Sequence, residues 1–429
     1  MFLSKIIHAK DLKSTPCYNA STRFDLRAKR SEKSVFLNMQ YKNQKKYSCF
    51  NNLKDTMFSS AIYTNPSAES WTYHHNTDTS LAQEFHKRLP GYRESPLVPL
   101  DNIAKELGVK AVFVKDESSR LGLPAFKILG ASWGTFRAIT DKTDIPLDTS
   151  LEDAAVAARN ANMTLFAATE GNHGRAVARM GKILHLPTRI IMSRFADEEA
   201  VKKVESEGAQ VTVISGDYDA AVAKASEESS KDPNGLLVQD NAFKGYEQVP
   251  AWIVEGYSTL LIEAEQQLAT RGLKATMIVT PIGVGSLGHA VVGHCKSDGR
   301  RIKVLTVEPE TAACLHHNLK VGKWTTIETS ATIMNGMNCG TVSPISWPVF
   351  AKGVDASVTV SDLECHESVE YLQAHGVDAG PCGAASLAAL RKVAAVDANS
   401  VGLDADAVVI LLSTEGARCY TAPKSACSS

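Results

Sequence analysis

The 429-residue sequence has almost no net charge and no long hydrophobic run. Lys and Arg number 46 against 47 Asp and Glu, which gives a formal charge of −1. A chain this close to neutral lacks the basic surplus of proteins that bind nucleic acids or membrane surfaces. Its longest apolar run, residues 407–412, predicts a buried strand, because a bilayer span needs roughly 18 apolar residues. We therefore expect neither nucleic acid nor a membrane as a partner.

Closely spaced cysteine pairs are also missing. The nine cysteines include no C-x-x-C spacing of the kind that holds zinc, and an odd number in a long chain does not indicate a disulfide scaffold. We expect reduced thiols, no metal and a cytoplasmic protein. Hydrophobic residues make up 44% of the chain, which is enough for a large core and excludes an entirely disordered protein.

The first fifty residues differ from the rest in charge. They carry 11 Lys and Arg against three acidic residues, so the remainder of the chain has a surplus of acids. They show no period of 2 or 3.6 and no apolar stretch typical of a signal peptide. We interpret residues 1–56 as a basic, disordered extension. A mitochondrial transit peptide is the alternative, although the acidic residues count against it.

From about Leu97 onward, short β-branched runs alternate with helical patterns. Continuous apolar runs such as residues 164–169 and 188–192 are typical of parallel strands buried on both faces. The stretches between such runs predict helices, among them one long helix over residues 249–269. The alternation predicts an α/β fold with largely parallel, twisted sheets flanked by helices. In such folds ligands bind at the carboxyl ends of strands, where turns lead into helices.

One turn of this kind contains Gly171 and Asn172. The sequence Thr-Glu-Gly-Asn-His-Gly-Arg follows the run 164–169 and opens a helix. Glycines let the backbone approach a ligand, and unpaired N–H groups at a helix start favour an anion. Asn172 adds both a donor and an acceptor. A plain capped helix start explains the same pattern.

A second turn, residues 283–288, is a literal G-x-G-x-x-G after an apolar run. Backbone amides at the start of the following helix can hold a phosphate there. Glu308, twenty residues beyond Gly288, ends the next apolar run. This spacing also suits a nicotinamide dinucleotide with the carboxylate on a ribose hydroxyl, so an NAD-dependent oxidoreductase is an alternative.

Two further features are Lys127 and the end of the last strand. Lys127 follows Phe126 just inside a helix of apolar and small residues. An ammonium group there is costly unless it reaches solvent or reacts, and burial predicts a lowered pKa and a nucleophilic amine. Ser413 and Thr414 carry hydroxyls at the carboxyl end of the apolar run. Taken alone, a surface lysine and simple capping explain these residues equally well.

Together these features match the needs of one cofactor. Pyridoxal phosphate requires a lysine that binds it covalently, a cradle for its phosphate, and partners for its ring hydroxyl and ring nitrogen. Short motifs in a specific order carry a family likeness between about Ile62 and Arg418: residues 65–68, 124–127, 168–175, 238–240, 245–247, 256–257, 313–314, 337–340 and 413–416. In these motifs the chain resembles the β-family, or fold type II, of pyridoxal-phosphate enzymes, and within it the ammonia-lyases that act on diaminopropionate.

The resemblance implies two lobes with the cofactor in the cleft between them, and a homodimer. It assigns residues 57–155 and 245–429 to a large domain and residues 156–244 to a smaller, mobile one. It implies pyridoxal 5'-phosphate as cofactor and a small amino acid as substrate. The implied reaction is an α,β-elimination that converts 2,3-diaminopropionate to pyruvate and two ammonia.

The resemblance also assigns the cofactor contacts. Lys127, preceded by Phe126, matches the lysine that binds the cofactor. Asn172 matches the partner of the ring hydroxyl, and Ser413, or Thr414 in second place, matches the group that faces the ring nitrogen. The phosphate loop comprises Gly283, Val284, Gly285, Ser286, Leu287 and Gly288.

The catalytic assignments are Lys127, Glu170 and Asp240, and Thr169, Gly171 and His173 are expected to contact the substrate. The family carries Asp where this chain has Glu170. Because one methylene adds about 1 Å of reach, enough to misplace a base, use of the D-isomer is in doubt. Residues 379–383 read Ala-Gly-Pro-Cys-Gly where the family tends to carry Ser-Gly-Glu-Ser-Gly, so substrate preference is open.

Two alternatives remain besides the oxidoreductase. A serine or threonine dehydratase has the same fold, but its hydroxyl leaving group does not need the acidic pair Glu170 and Asp240. A catalytically inactive homologue that only binds a ligand is the other alternative, because a fold does not guarantee a function.

Overall fold

A computed structural model describes residues 62–75, 78–169 and 171–424 of the chain. The predicted extension, residues 1–56, and the predicted catalytic residue Glu170 lie outside the described residues. All elements named below belong to one compact unit, Phe58–Ala417. No helix in these ranges is long and apolar enough to cross a membrane.

Strands and helices alternate along most of the chain, as predicted. The strands are β1 (Ile62–Thr64), β2 (Leu97–Pro99), β3 (Ala111–Asp116), β4 (Thr164–Thr169), β5 (Thr188–Met192), β6 (Gln210–Val213), β7 (Gly235–Leu237), β8 (Met277–Pro281), β9 (Lys303–Pro309), β10 (Ala356–Val360) and β11 (Val408–Ser413). The helices are α1 (Ser80–Lys87), α2 (Asp101–Leu107), α3 (Lys127–Thr143), α4 (Leu151–Asn160), α5 (Asn172–Leu184), α6 (Glu198–Glu205), α7 (Tyr218–Lys231), α8 (Gln248–Gly256), α9 (Ser258–Ala269), α10 (Ser286–Lys296), α11 (Cys314–Val321), α12 (Trp347–Gly353), α13 (Asp362–Ala374) and α14 (Pro381–Val401).

The larger sheet has the strand order β1-β10-β9-β8-β11-β3-β2. Its inner strands are parallel to one another, and the edge strands β1 and β2 pair antiparallel with their neighbours. Strands β8 and β11 are buried along their whole length, because helices cover both faces of a parallel sheet. The α/β fold and its buried parallel strands are therefore confirmed.

The smaller sheet has the order β6-β5-β4-β7 and is parallel throughout. Its strands lie within residues 164–237, inside the segment for which the resemblance implies a mobile domain. Helices α5 and α7 pack against it. The domain boundaries and the mobility stay a prediction.

The prediction of one helix over residues 249–269 is wrong. Helix α8 ends at Gly256 and α9 begins at Ser258. A Cβ atom on Gly256 would come within 2.6 Å of the Leu129 carbonyl oxygen of α3, so the two backbones are in close contact at this point. The Tyr257 N–H bonds the Val254 carbonyl in a tightened last turn, and Tyr257 thereby turns inward at the junction.

Candidate active site

The site lies where strand ends from both sheets meet. Strands β3, β11 and β8 are parallel neighbours, so their carboxyl ends share one edge of the larger sheet. Lys127 follows β3, Ser413 ends β11, and residues 283–288 follow β8. In the smaller sheet β4 and β7 are parallel neighbours, and they lead to Asn172 and Asp240. Contacts between side chains join the two groups.

Lys127 is the first residue of α3 and forms an ion pair with Asp240. The Lys127 side chain is 21% exposed and Asp240 only 4%, so the pair lies at the inner end of an accessible space. Burial acts to lower the pKa of Lys127, but the Asp240 carboxylate outweighs burial and raises it above the usual value. The lowered pKa expected from sequence is therefore wrong for the chain alone, because the sequence does not show this partner.

Asp240 is held in its ionised form by the same contact. Burial alone would raise its pKa, yet the Lys127 ammonium lowers the pKa to about 2. His173 is the second titratable neighbour, with its Nδ1 atom 3.9 Å from Asp240 Oδ2. Asp240 is therefore a carboxylate throughout the neutral pH range.

His173 is fixed by its other ring nitrogen. Its Nε2 atom lies 2.8 Å from the Val238 carbonyl oxygen, which can only accept, so Nε2 carries the hydrogen. Burial lowers the pKa of His173, and the neutral ring then presents the lone pair of Nδ1. Nδ1 has no hydrogen-bond partner within the described ranges, which leaves an acceptor directed at the space beside Asp240.

The turn after β4 orders Gly171 and Asn172. The Thr169 hydroxyl accepts hydrogen bonds from the N–H groups of Gly171 and Gly174, at 2.8 and 3.0 Å. Gly171 has φ +155°, a conformation that L side chains rarely adopt. The Asn172 Nδ2 atom donates to Glu415 Oε2 at 3.3 Å. The Thr169 hydroxyl therefore organises the turn, and its predicted contact with substrate stays a prediction.

The glycine-rich turn is a narrow cradle at the start of α10. Gly285 has φ +101°, and a Cβ there would lie 2.7 Å from the Phe350 ring. A Cβ on Gly283 would lie 2.8 Å from the Gly336 carbonyl oxygen. Val284 is tied down by a 2.8 Å hydrogen bond from Ser343 N–H to its carbonyl oxygen. These constraints hold the backbone with the N-terminus of α10 open to an anion.

Ser413 contributes a hydroxyl with an unmet hydrogen-bonding capacity. Its Oγ atom is fully buried and has no hydrogen-bond partner in the described part of the chain. Gly383 makes room for it, because a Cβ on that residue would approach Oγ to 2.6 Å. The backbone of the neighbouring Thr414 is fixed by a hydrogen bond: its carbonyl oxygen accepts from the Phe126 N–H at 3.3 Å. Of the two hydroxyls, Ser413 is thus the one with an unmet partner.

Glu308 does not serve the glycine turn. It is fully buried, and its two carboxylate oxygens accept from the N–H groups of Leu315 and His316 at 2.8 and 2.6 Å. The carboxylate therefore caps α11, which removes the acid that the dinucleotide alternative requires. Among the described residues, no group of His, Cys, Asp and Glu side chains has the arrangement of a metal site.

Sequence reasoning missed Glu415 and Tyr257 as site residues. Glu415 receives hydrogen bonds from Asn172 and, at 3.1 Å, from the Cys382 N–H. Tyr257 packs its ring on Phe126 with centroids 4.8 Å apart. Glu415 was recognisable only as the neighbour of Ser413 and Thr414, and no periodicity singles out Tyr257.

The residues present fit pyridoxal phosphate. Lys127 would supply the amine and residues 283–288 an anion cradle. The buried Ser413 hydroxyl has no partner in the described chain, and a ring nitrogen would provide one. Asn172 keeps an amide N–H available for the ring hydroxyl after its bond to Glu415. The fold and the site thus define an enzyme whose chemistry depends on a cofactor carried by lysine.

Comparison with known proteins agrees. A family model described as pyridoxal-phosphate dependent enzyme matches residues 88–414, and the chain belongs to this family. A diaminopropionate ammonia-lyase of Escherichia coli is 31% identical over 358 residues, which cover 79% of this chain and 88% of the relative. The crystal structure of diaminopropionate ammonia lyase from Escherichia coli in complex with an aminoacrylate-PLP azomethine reaction intermediate matches with a TM-score of 0.74 and 30% identity, over 83% of this chain and 93% of that one.

A dehydratase is also similar. A biosynthetic L-threonine dehydratase of Pasteurella multocida is 27% identical over 300 residues, which cover 70% of this chain and 52% of the relative. The predicted resemblance to fold type II pyridoxal-phosphate enzymes is confirmed by these relatives. The NAD-dependent alternative is excluded by the family and by the capping role of Glu308.

Proposed function

We propose that this chain eliminates ammonia from 2,3-diaminopropionate and yields pyruvate and a second ammonia. The observation that carries the proposal is the contact between the Lys127 amine and the Asp240 carboxylate in a chain so similar to diaminopropionate ammonia-lyases. A β-amino group leaves as ammonia only when it is protonated. An ionised carboxylate beside the catalytic amine stabilises such a protonated amine. A hydroxyl leaving group carries no positive charge and gains less from the carboxylate.

Lys127 and Asp240 divide the proton transfers. Bound pyridoxal phosphate supplies the electron sink that makes the substrate α-proton removable. The Lys127 amine would hold the cofactor, and as a free amine it would take the substrate α-proton onto Nζ. Asp240, ionised at neutral pH, holds the β-ammonium group in its protonated form until the C–N bond breaks. The enamine released hydrolyses in water to pyruvate and ammonia.

The remaining residues hold and orient. Residues 283–288 hold the phosphate through backbone N–H groups at the start of α10. Asn172 donates to the ring hydroxyl. Ser413 would be a neutral partner for the ring nitrogen. A hydroxyl, unlike a carboxylate, would not stabilise a proton on that nitrogen, which would favour prompt loss of the β-substituent. Gly171 and His173 contact the substrate from the turn that opens α5, together with Thr169.

Glu170 bears on stereochemistry. The family resemblance implies Asp at this position, as a base that acts on the D-isomer. A longer side chain displaces a base by about 1 Å, which is enough to impair proton transfer. We therefore propose that the L-isomer of diaminopropionate is the better substrate.

A substrate panel tests the proposal. It contains both isomers of diaminopropionate, L-serine, L-threonine and β-chloroalanine, with pyruvate or 2-oxobutanoate as the readout. Pyruvate formed fastest from L-diaminopropionate supports the proposal. Turnover of L-serine or L-threonine without turnover of diaminopropionate establishes instead the dehydratase, which the threonine dehydratase relative makes the second candidate. Turnover of β-chloroalanine alone contradicts both candidates and indicates an elimination with a different leaving group, and turnover of none of the compounds leaves an inactive homologue.

Chemical trapping tests the assignment of the lysine. Borohydride reduction of the cofactor-loaded protein should fix the cofactor on Lys127, and peptide mapping identifies the site. Lys115 is the internal control, because it is a second lysine paired with a buried carboxylate, Glu263, but it is fully buried and lies away from the predicted site. A label on Lys115 or on any other lysine overturns the assignment.

We also propose a cytoplasmic homodimer in which residues 156–244 move as a domain against the rest. The family resemblance supports the dimer and the domain boundaries, and the separate smaller sheet is consistent with a domain of its own. Light scattering on the purified protein measures the oligomeric state, and a monomer at micromolar concentration contradicts the dimer. Hydrogen exchange with and without cofactor tests whether the segment changes as one unit.

A further inference from the structure

Tyr257 places a buried hydroxyl beside the site, and no described residue meets the hydrogen-bond criteria with it. The residue is completely buried between α8 and α9, and its hydroxyl makes no hydrogen bond of normal geometry to any described residue. A buried phenol without a partner costs stability, because water would otherwise bind its hydroxyl. Such a group therefore points to a ligand.

The ring reaches the site across the first turn of α3. Its centroid lies 4.8 Å from that of Phe126, the residue before Lys127. Its hydroxyl end lies over Gly130, where a Cβ would come within 2.5 Å of the ring carbon Cζ. Gly130 is three residues after Lys127 in the same helix, so both lie on one helix face. The hydroxyl is thus directed to the face of α3 that carries the lysine.

The hydroxyl also lies next to the glycine-rich turn. Burial raises the pKa of Tyr257, while the Lys127 ammonium and the neighbouring Ser286 hydroxyl act in the opposite direction. The phenol therefore stays neutral and is a hydrogen-bond donor. Ser286 begins α10 at the cradle described above, so Tyr257 lies between the lysine and the predicted phosphate site. A phosphate offers several acceptor oxygens to such a donor.

We propose that the Tyr257 hydroxyl donates a hydrogen bond to the phosphate group of the bound cofactor. The proposal rests on the cofactor site put forward under the proposed function. Tyr257 would be a binding residue that adds a side-chain donor to the backbone amides of residues 283–288. Its ring, fixed by Phe126 and Gly130, lets the hydroxyl bind with little further loss of side-chain freedom.

The test compares pyridoxal phosphate with pyridoxal, which lacks the phosphate. Binding of each to the cofactor-free protein is measured by absorption for the wild type and for Tyr257→Phe, which removes only the oxygen. We expect the variant to bind pyridoxal phosphate about tenfold or more weakly and pyridoxal unchanged. The matched control is Tyr371→Phe, because the Tyr371 hydroxyl is also without a partner in the described chain but its ring lies against His375 and Arg391. That variant should bind both compounds as the wild type does.

The outcomes separate the two proposals. Unchanged binding of pyridoxal phosphate by Tyr257→Phe, or an equal loss for both compounds, overturns the phosphate contact while the cofactor site stands. A wild type that binds neither compound overturns the cofactor site, and the phosphate contact with it. The cofactor-free variant should unfold at a temperature no lower than that of the wild type, because it loses no hydrogen bond to a described residue and no longer buries an unpaired hydroxyl.

Discussion

Asn172 and Glu415 join the two sheets by a hydrogen bond between residues that are 243 positions apart in sequence. Asn172 begins α5 after β4 of the smaller sheet, and Glu415 follows β11, an inner strand of the larger one. A carboxylate only accepts, so it requires the Nδ2 end of the asparagine amide to face it. Glu415 therefore fixes the orientation of the amide that we expect to contact the cofactor.

Replacement of Glu415 by glutamine should loosen this arrangement. Glu415 accepts hydrogen bonds from the Asn172 amide and from the Cys382 N–H. In a glutamine one of the two oxygens is replaced by an NH₂ group, so one of these two donors would face another donor. Losing a hydrogen bond to a charged group costs about 1.5–3 kcal/mol, so we expect pyridoxal phosphate to bind about tenfold more weakly or worse. Equilibrium titration followed by absorption measures the affinity for pyridoxal phosphate. The absorption spectrum of the bound cofactor should shift as well.

Glu310→Gln is the control for Glu415→Gln. The Glu310 side chain is 51% exposed and pairs with Lys392, which Glu364 also contacts. Its loss should leave cofactor affinity and spectrum as they are, since exposed ion pairs contribute little. Equal effects of the two substitutions would mean that charge in general, and not the contact with Asn172, controls cofactor binding.

Asp240→Asn should act in opposite directions on two measurements. The carboxylate raises the pKa of Lys127 against the effect of burial, so its removal should lower that pKa. More of the amine is then unprotonated at neutral pH, and the cofactor-free variant should capture pyridoxal phosphate faster than the wild type. Turnover of diaminopropionate should fall about 100-fold or more, because the leaving amine loses its carboxylate.

The two measurements for Asp240→Asn are a capture rate over a pH series and a steady-state rate. Asp406→Asn serves as the matched control, since Asp406 is exposed in the loop before β11. If capture by Asp240→Asn slows at every pH, the ion pair is not what protonates Lys127. If turnover survives, the carboxylate is not needed for loss of the amine.

Much of the fold follows from local sequence. Strands β4 and β5 have the predicted bounds, because each is a short, largely apolar run that is well separated from the neighbouring helical patterns. The edge strands β1 and β2 are only three residues long and pair antiparallel, so they show no periodicity to detect. The break at Tyr257 between α8 and α9 could not be predicted from local sequence. It depends on the close approach of Gly256 to α3, which is a tertiary contact.

The site divides in the same way. The sequence could place Lys127, Asn172 and residues 283–288 at strand ends, because strand-to-helix turns are local features. It could not give the direction of the Lys127 pKa shift, since the partner that sets it, Asp240, lies 113 positions away. The contacts of Glu415 and Tyr257 likewise exist only after the sheets have formed. The roles of all these residues toward cofactor and substrate stay predictions.

Ser413→Ala should separate binding from stability. The Ser413 hydroxyl has no partner in the described chain, so its removal breaks no hydrogen bond there and should not lower the thermal stability of the cofactor-free protein. Affinity for pyridoxal phosphate should fall by a factor of about 5 to 10, because the ring nitrogen loses its partner. Calorimetry of the cofactor-free protein and a binding titration measure the two effects.

Ser386→Ala is the contrasting control for Ser413→Ala. Ser386 is equally buried, but its hydroxyl donates to the Leu412 carbonyl oxygen at 2.9 Å. Its loss leaves a buried acceptor less well satisfied and should lower the free energy of unfolding by about 1 kcal/mol. A Ser413→Ala protein destabilised as much as this control would show that the hydroxyl has a structural partner after all.

Glu308 should make stability fall as the pH rises through neutrality. Burial raises its pKa to about 7 in the folded chain, against the usual 4.5, even though two N–H groups favour the charged form. Between these two values the folded state binds more protons than the unfolded state, so the contribution of Glu308 is fully present below pH 4.5 and is lost as the pH rises through 7. The slope is at most about 1.4 kcal/mol per pH unit for one group. Urea unfolding at a series of pH values from 5 to 8 measures it, and Glu308→Gln, which does not titrate, should show a flatter profile. Parallel profiles for the two proteins would place the origin of any pH dependence in other groups and would mean that Glu308 caps α11 as an ordinary carboxylate.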